Sequence, residues 1–199
     1  MLRLGIATEC DDYDGEVFRF LVERLLARPV ERWQTEIHFY GDRSVKKLAG
    51  AYMRLAARSG VRDFLFAVDN DGGARRRPEH APDHDVDAQA ADEKDGCRWC
   101  WLERATAGAV ADVRCVVVPV QTLETWLLVA RGDALHPAPE KVFHRSALKK
   151  QFFGPHPLPP TEQRTQVALA ALELPGGIAR LGELASFRQF EVQLEPWRG

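Results

Sequence analysis

No stretch of this chain approaches the roughly 20 consecutive apolar residues that a bilayer-crossing helix needs, so no membrane partner is expected. The opening MLRLGIATEC turns acidic at once and lacks the layout of a signal peptide. Cysteine is scarce, four in 199 residues, and without a leader this points to thiols in a reducing cytoplasm rather than to disulfides. A positive excess is missing too. Lys and Arg number 27 against 29 acids, a formal net charge of −2. That excludes a generally basic nucleic-acid coat and leaves local patches as the way to bind phosphates. There is no internal repeat and no low-complexity tract. A glycine-rich phosphate loop, a dinucleotide fingerprint and a Gly-x-Ser-x-Gly elbow are all absent, which removes support for the chemistries they carry.

What is present is a chain 45% hydrophobic, long enough for one good core and an appendage. LRLGIAT (2–8) reads as a buried strand, and Phe18, Leu21, Val22, Leu25 and Leu26 follow at helical spacing. TEIHFYG (35–41) alternates like a second strand. Residues 43–59 return to the helical period through Val45, Leu48, Ala49, Tyr52 and Leu55. VRDFLFAV (61–68) and VRCVVVPV (113–120) read as the third and fourth strands, and LETWLLVA as a helix in which Trp126 belongs to the core. Strands alternating with helices predict a parallel α/β sheet with helices on both faces. Residues 1–131 form that domain, with an insert at 72–100. Residues 132–160 carry six prolines and lead to a helical C-terminal portion, so 132–199 are expected to pack on the same domain.

The stretch FLFAVDNDGG (64–73) delivers two acids to a strand tip. Residues two apart in a strand share a face, so Asp69 and Asp71 repel unless a cation or a proton separates them. Asn-Asp-Gly-Gly is also good turn chemistry and as a turn needs no metal. Glu9 follows the first strand and Glu124 the fourth, so carboxylates from three segments are expected on one rim, where parallel sheets present their ligand sites. An oxygen-only set of this kind suits Mg²⁺ or Mn²⁺. A calcium loop is disfavoured, because its twelfth position counted from Asp69 is His80.

A Glu after the first strand (Glu9 in ATECDDYDGEVF) and Asp-x-Asp after the third (Asp69 and Asp71 in AVDNDG) resemble the Toprim catalytic core of topoisomerases, primases and overcoming-lysogenization-defect nucleases. LETWLLVA and ASFRQFEVQL resemble a small-protein Toprim-like branch from bacterial phage-defence and abortive-infection loci. Where Toprim proteins carry a glycine after the first glutamate, this chain has Cys10. The resemblance implies a Toprim-like (Rossmann-like) fold and a divalent-metal-dependent nuclease acting on DNA or RNA. Glu9 would be a ligand or general base, Asp69 and Asp71 metal ligands, and Glu124 an accessory ligand. It also implies a possible separately encoded ATPase partner. The rival expectation is a non-catalytic regulatory or binding subunit acting through its acidic insert.

That insert holds seven acids between Glu79 and Asp95 and, over 72–96, one apolar side chain larger than alanine, Val86. It also contains His80-x3-His84 and Cys97-x2-Cys100, the spacings of a Cys2His2 zinc site with the pairs in reverse order. Zinc would staple a segment that cannot order itself by apolar burial; a disordered acidic loop or a redox Cys-x-x-Cys are the alternatives. Cys10 and Cys115 read as small packed residues. Two basic runs, Arg75, Arg76 and Arg77 after the acidic pair and Arg145, Lys149 and Lys150 further on, are candidates for phosphate contacts or simply solvated faces.

Overall fold

A computed structural model describes residues 1–70, 78–108, 111–133, 145–155 and 157–198, with backbone alone for Arg145 and Ser146. The fold is α/β. Four parallel strands, β1 (Leu2–Thr8), β2 (Val30–Trp33), β3 (Asp63–Ala67) and β4 (Val113–Val117), lie in the order β2-β1-β3-β4. Because chain order reverses about β1, the gap between the carboxyl ends of β1 and β3 is a topological switch point, the place where such sheets hold ligands.

Alternation along the strands divides the core in two. Leu4 and Ile6 of β1, Leu65 of β3 and Cys115 and Val117 of β4 face one side. There they meet α1 (Asp14–Leu26) through Val17, Phe18 and Leu21, and α5 (Leu123–Arg131) through Trp126 and Leu127. On the other side Ala7, Phe64, Phe66 and Val116 meet Val45, Ala49, Tyr52 and Met53 of α2 (Asp42–Arg58). α1 closes on Ala27, whose φ of 49° is left-handed and unusual without glycine.

The second strand is not where alternation predicts it. Residues 35–41 form no strand among the sheet's pairings; β2 is Val30–Trp33, directly after Pro29, with Leu2 opposite Val30 and Gly5 opposite Trp33. Val30 packs on one core and Trp33 on the other, as the two faces of a strand require. The alternation of 35–41 has another cause: Ile37 and Phe39 pack against the second core, with Phe39 5.2 Å from Tyr52 ring to ring, while Tyr40 makes an isolated antiparallel bridge to Cys10.

The insert is also more ordered than its composition predicts. It contains α3 (Val86–Ala91) and the start of α4 (Arg98–Thr106). Asp85 caps α3 by accepting from the Ala88 N–H at 3.0 Å, and Gln89 Oε1 accepts from the Cys97 N–H at 2.9 Å. Gly96 is obligatory there, since a Cβ would collide with the Gln89 carbonyl. Trp101 and Leu102, just past the polar stretch, anchor α4 in the second core.

The C-terminal portion comprises α6 (Arg145–Phe153), α7 (Thr161–Glu173), α8 (Gly177–Leu181) and α9 (Ala185–Gln193), followed by a 3₁₀ turn (Glu195–Trp197). Phe187, Phe190, Leu194 and Trp197 share the core of α1 and α5, and Trp126 Nε1 donates to Ser186 Oγ at 2.8 Å. β4 is an edge strand, and α9 covers it with one side chain. Gln193 accepts from the Val116 N–H at 2.8 Å and donates to the Val116 carbonyl at 2.5 Å, pairing as a neighbouring strand would.

Candidate functional site

Glu9 leaves the tip of β1 and Asp69 lies two residues past β3, so the switch point brings them together. The Asp69 N–H donates to Glu9 Oε1 at 2.9 Å. Asp69 Oδ1 in turn accepts from the Leu123 N–H at 3.0 Å, at the first residue of α5, where the helix dipole favours negative charge. Beyond β4 the chain reaches α5 through Gln121, a buried non-glycine residue held at φ 73°. Left-handed backbone of this kind costs on the order of 1 kcal/mol. The turn after Glu9 closes on Cys10, whose carbonyl accepts from the Tyr13 N–H at 3.2 Å and the Asp14 N–H at 2.8 Å.

Two more carboxyls enter the crevice. Glu124, in the first turn of α5, is 1% exposed. Asp14, the first residue of α1, accepts from the Cys10 N–H through Oδ2 at 3.1 Å. Glu9, Asp14, Asp69, Phe18, Pro119 and Leu123 line a tight crevice with no room for a water molecule. Among the described residues, the ammonium of Lys149 approaches, with Nζ 3.9 Å from Glu124 Oε1. Burial first, then the charges of Glu124 and Glu9, pushes the Asp14 carboxyl up to about 8. Burial, Glu9 and Glu124 raise Asp69 well above the carboxylate range. The Tyr13 hydroxyl is raised by burial and by the same carboxylates. Glu124 Oε2, Tyr13 OH, Thr122 Oγ1 and Thr125 Oγ1 are buried without a hydrogen-bond partner among the described residues. Such a set asks for a cation or protons.

The insert carries a second centre, and it can hold a metal as it stands. His80, His84, Cys97 and Cys100 offer ligand atoms that all lie within 4.8 Å of one another. Cys100 Sγ is 3.6 Å from His80 Nδ1 and 3.7 Å from His84 Nδ1. Tetrahedral zinc, with Zn–S near 2.3 Å and Zn–N near 2.05 Å, separates its ligands by about 3.6 Å. Burial lowers His80, keeping it neutral as a ligand must be, and His84 adds to that. Without a cation the Cys100 thiol is pushed up to about 12 by burial and by Cys97, which is the resistance that a bound divalent ion overcomes. His80 stacks on Trp99 at 5.0 Å and 13°, fixing its ring plane. Among the described residues this is the one cluster of three or more His, Cys, Asp or Glu arranged to hold a metal.

Of the residues expected from the sequence, Glu9, Asp69 and Glu124 come to one crevice, and the four zinc candidates to another. Asp71 and the run Arg75, Arg76 and Arg77 lie outside the described residues, as does the side chain of Arg145. Lys150 is exposed on α6, whereas Lys149 turns toward Glu124. Cys115 is fully buried and Cys10 half-buried, and all four cysteines are free thiols. Among the described residues, no helix is long and apolar enough to cross a membrane. Asp14 and Tyr13 were not expected in the site. The acidic run ECDDYDGE held the signal, since Asp14 opens α1 beside Glu9, but composition cannot tell it from Asp11 and Asp12. No protein-family model, no curated protein and no solved structure matches the chain.

Proposed function

We propose that this protein is a Toprim-like nuclease that uses Mg²⁺ or Mn²⁺ to hydrolyse phosphodiester bonds of DNA or RNA, with zinc in the His/Cys centre as a structural ion. The observation that carries the reading is the hydrogen bond from Asp69 to Glu9 across the switch point, with Asp14 and Glu124 behind it. Oxygen donors alone suit hard cations. Glu9 and Asp69, with Asp71, would hold the ion, which supplies an activated water and neutralises charge on the leaving oxygen. Glu124 orients from α5, and Lys149 offsets its charge from α6. The crevice between these carboxyls is too tight for a nucleotide, so the ion and the scissile phosphate would meet along the rim. The resemblance to phage-defence proteins extends the proposal to defence in a bacterial cytoplasm and to a separate ATPase partner.

The test is cleavage of DNA and RNA by purified protein with Mn²⁺ and without added divalent ions. Activity that needs Mn²⁺ and falls at least about 100-fold in Asp69→Asn supports the proposal. Absence of cleavage under every divalent ion supports a second reading, a non-catalytic binding subunit. One observation favours that reading: Glu9 and Asp69 each use an oxygen to tie down a backbone N–H, which is also what structural capping residues do.

A further inference from the structure

A cleft of about 890 Å³ opens between the first half of α2 and the insert, on the sheet face opposite α1 and α5. Arg43, Lys46 and Lys47 line it from α2, and Lys94 and Arg98 from the insert. Asp42 and Glu93 are the acids of the same lining. Five cations thus face two carboxylates, in a chain whose net charge is −2. Positive charge that is absent on average is concentrated here.

The floor of the cleft is fixed and its walls are movable. Arg98 is 3% exposed; its Nη2 donates to Asp42 Oδ2 at 2.7 Å, and its guanidinium lies 4.3 Å from the Trp101 ring centre. Lys46 lies 4.8 Å over the same ring and 3.1 Å from Glu93 Oε1, a carboxylate 73% exposed whose pairing a stronger anion can replace. Arg43 and Lys47 are exposed and form no ion pair among the described residues. A further feature links the start of α2 to the carboxylate crevice. Tyr40 is 81% exposed, immediately before α2, and bridges to Cys10, the residue after Glu9. The neighbouring Gly41 N–H donates to the Glu9 carbonyl at 2.9 Å, so the start of α2 is tied directly to the crevice.

The geometry points to a single nucleic-acid strand lying in this cleft, with Arg43, Lys46, Lys47 and Lys94 on its phosphates and a base stacked on Tyr40 on the way to Glu9 and Asp69. A strand is favoured over a free polyphosphate because an exposed ring beside a cationic groove is what unpaired bases use. A duplex offers no free base face to Tyr40. The route deepens the nuclease reading and rests on it for the direction of travel, but binding itself needs no catalysis.

The experiment is fluorescence anisotropy of a labelled mixed-sequence single strand of about 15 nucleotides, without added divalent ions, from about 50 to about 200 mM salt. Arg43→Ala with Lys47→Ala is expected to weaken binding about 25-fold near 0.1 M salt and to flatten the salt slope by about 1.4. Tyr40→Ala is expected to weaken it about 5- to 100-fold and Tyr40→Phe to restore it. Wild-type affinity and slope in the double variant would overturn the cleft, and an unaffected Tyr40→Ala would overturn the route. Tripolyphosphate competing as well as the strand at equal phosphate concentration would overturn the strand in favour of a free-anion site. Asp69→Asn separates the two proposals. If it abolishes cleavage while the cleft variants bind normally, the nuclease reading stands and this one falls; if nothing is cleaved yet the cleft variants lose binding, the reverse holds.

Discussion

Replacing Asp14 by Asn should make the metal-free protein more stable at neutral pH and leave it nearly unchanged in acid. The side chain keeps its shape, and an amide oxygen can still accept from the Cys10 N–H. What goes is a partly buried charge facing Glu124 and Glu9. With its carboxyl pushed up to about 8 against an unfolded value near 3.9, Asp14 holds its proton more tightly in the folded chain than in the unfolded one. Folding is therefore unpenalised below about pH 4 and loses stability as pH rises through the window from about 4 to about 8. Linkage sets a ceiling of about 5 kcal/mol on the loss at pH 7.5. Asp14 and Asp69 are both raised in one crevice and part of the cost falls on Asp69, so we expect Asp14→Asn to gain about 2 kcal/mol at pH 7.5 and under about 0.5 at pH 4.5. Urea unfolding followed by tryptophan fluorescence, in buffers without added divalent ions, measures both. Added Mn²⁺ should raise the wild type and narrow the gap, because a bound cation does the work of the missing proton. A variant less stable than wild type at both pH values, or a gap independent of pH, would refute the crowded-carboxylate account.

Purified protein should carry about one zinc per chain, and Cys97→Ser with Cys100→Ser should lose it; full zinc in that variant by metal analysis would remove the site. Lys149→Ala takes away the ammonium that approaches Glu124 and offsets the charges of Asp14 and Asp69 and should cost about 1 kcal/mol or more near neutrality, with a smaller loss at pH 4.5, where the raised carboxyls of Asp14 and Asp69 hold protons; an equal loss at both would make its role packing alone. Ala27→Gly relieves the left-handed cap of α1 and should stabilise by about 0.5–1 kcal/mol in the same unfolding assay.

Much of the scaffold is legible before any coordinates, and the exceptions have causes. β1, β3 and β4 stand out because their β-branched and aromatic residues are buried on both faces. β2 is hidden because four residues are too few to show a period, while Ile37 and Phe39 imitate one by packing from a loop. The meeting of Glu9 with Asp69 follows from parallel topology alone. Asp14 and Tyr13 do not, since which acid of a run turns inward depends on where α1 starts. The candidate metal ligands His80, His84, Cys97 and Cys100 are readable from spacing, whereas α3 and α4 are not: they are held by Asp85, Gln89 and Gly96 and by Trp101 beyond the polar stretch, rather than by apolar periodicity.

Gln193 gives the sheet a latch rather than a wall. A strand partner can be lost only by unfolding several residues together, but a side-chain amide leaves by rotating about its own bonds. One rotamer change of Gln193 is thus enough to unpair the Val116 N–H, and the exchange rate of that amide hydrogen reports how often it happens. Because β4 runs on into the turn that presents the Leu123 N–H to Asp69, the same event loosens the far end of the crevice. A perturbation of α9, remote from the crevice in sequence, should therefore be felt there as a change in breathing before any change in shape.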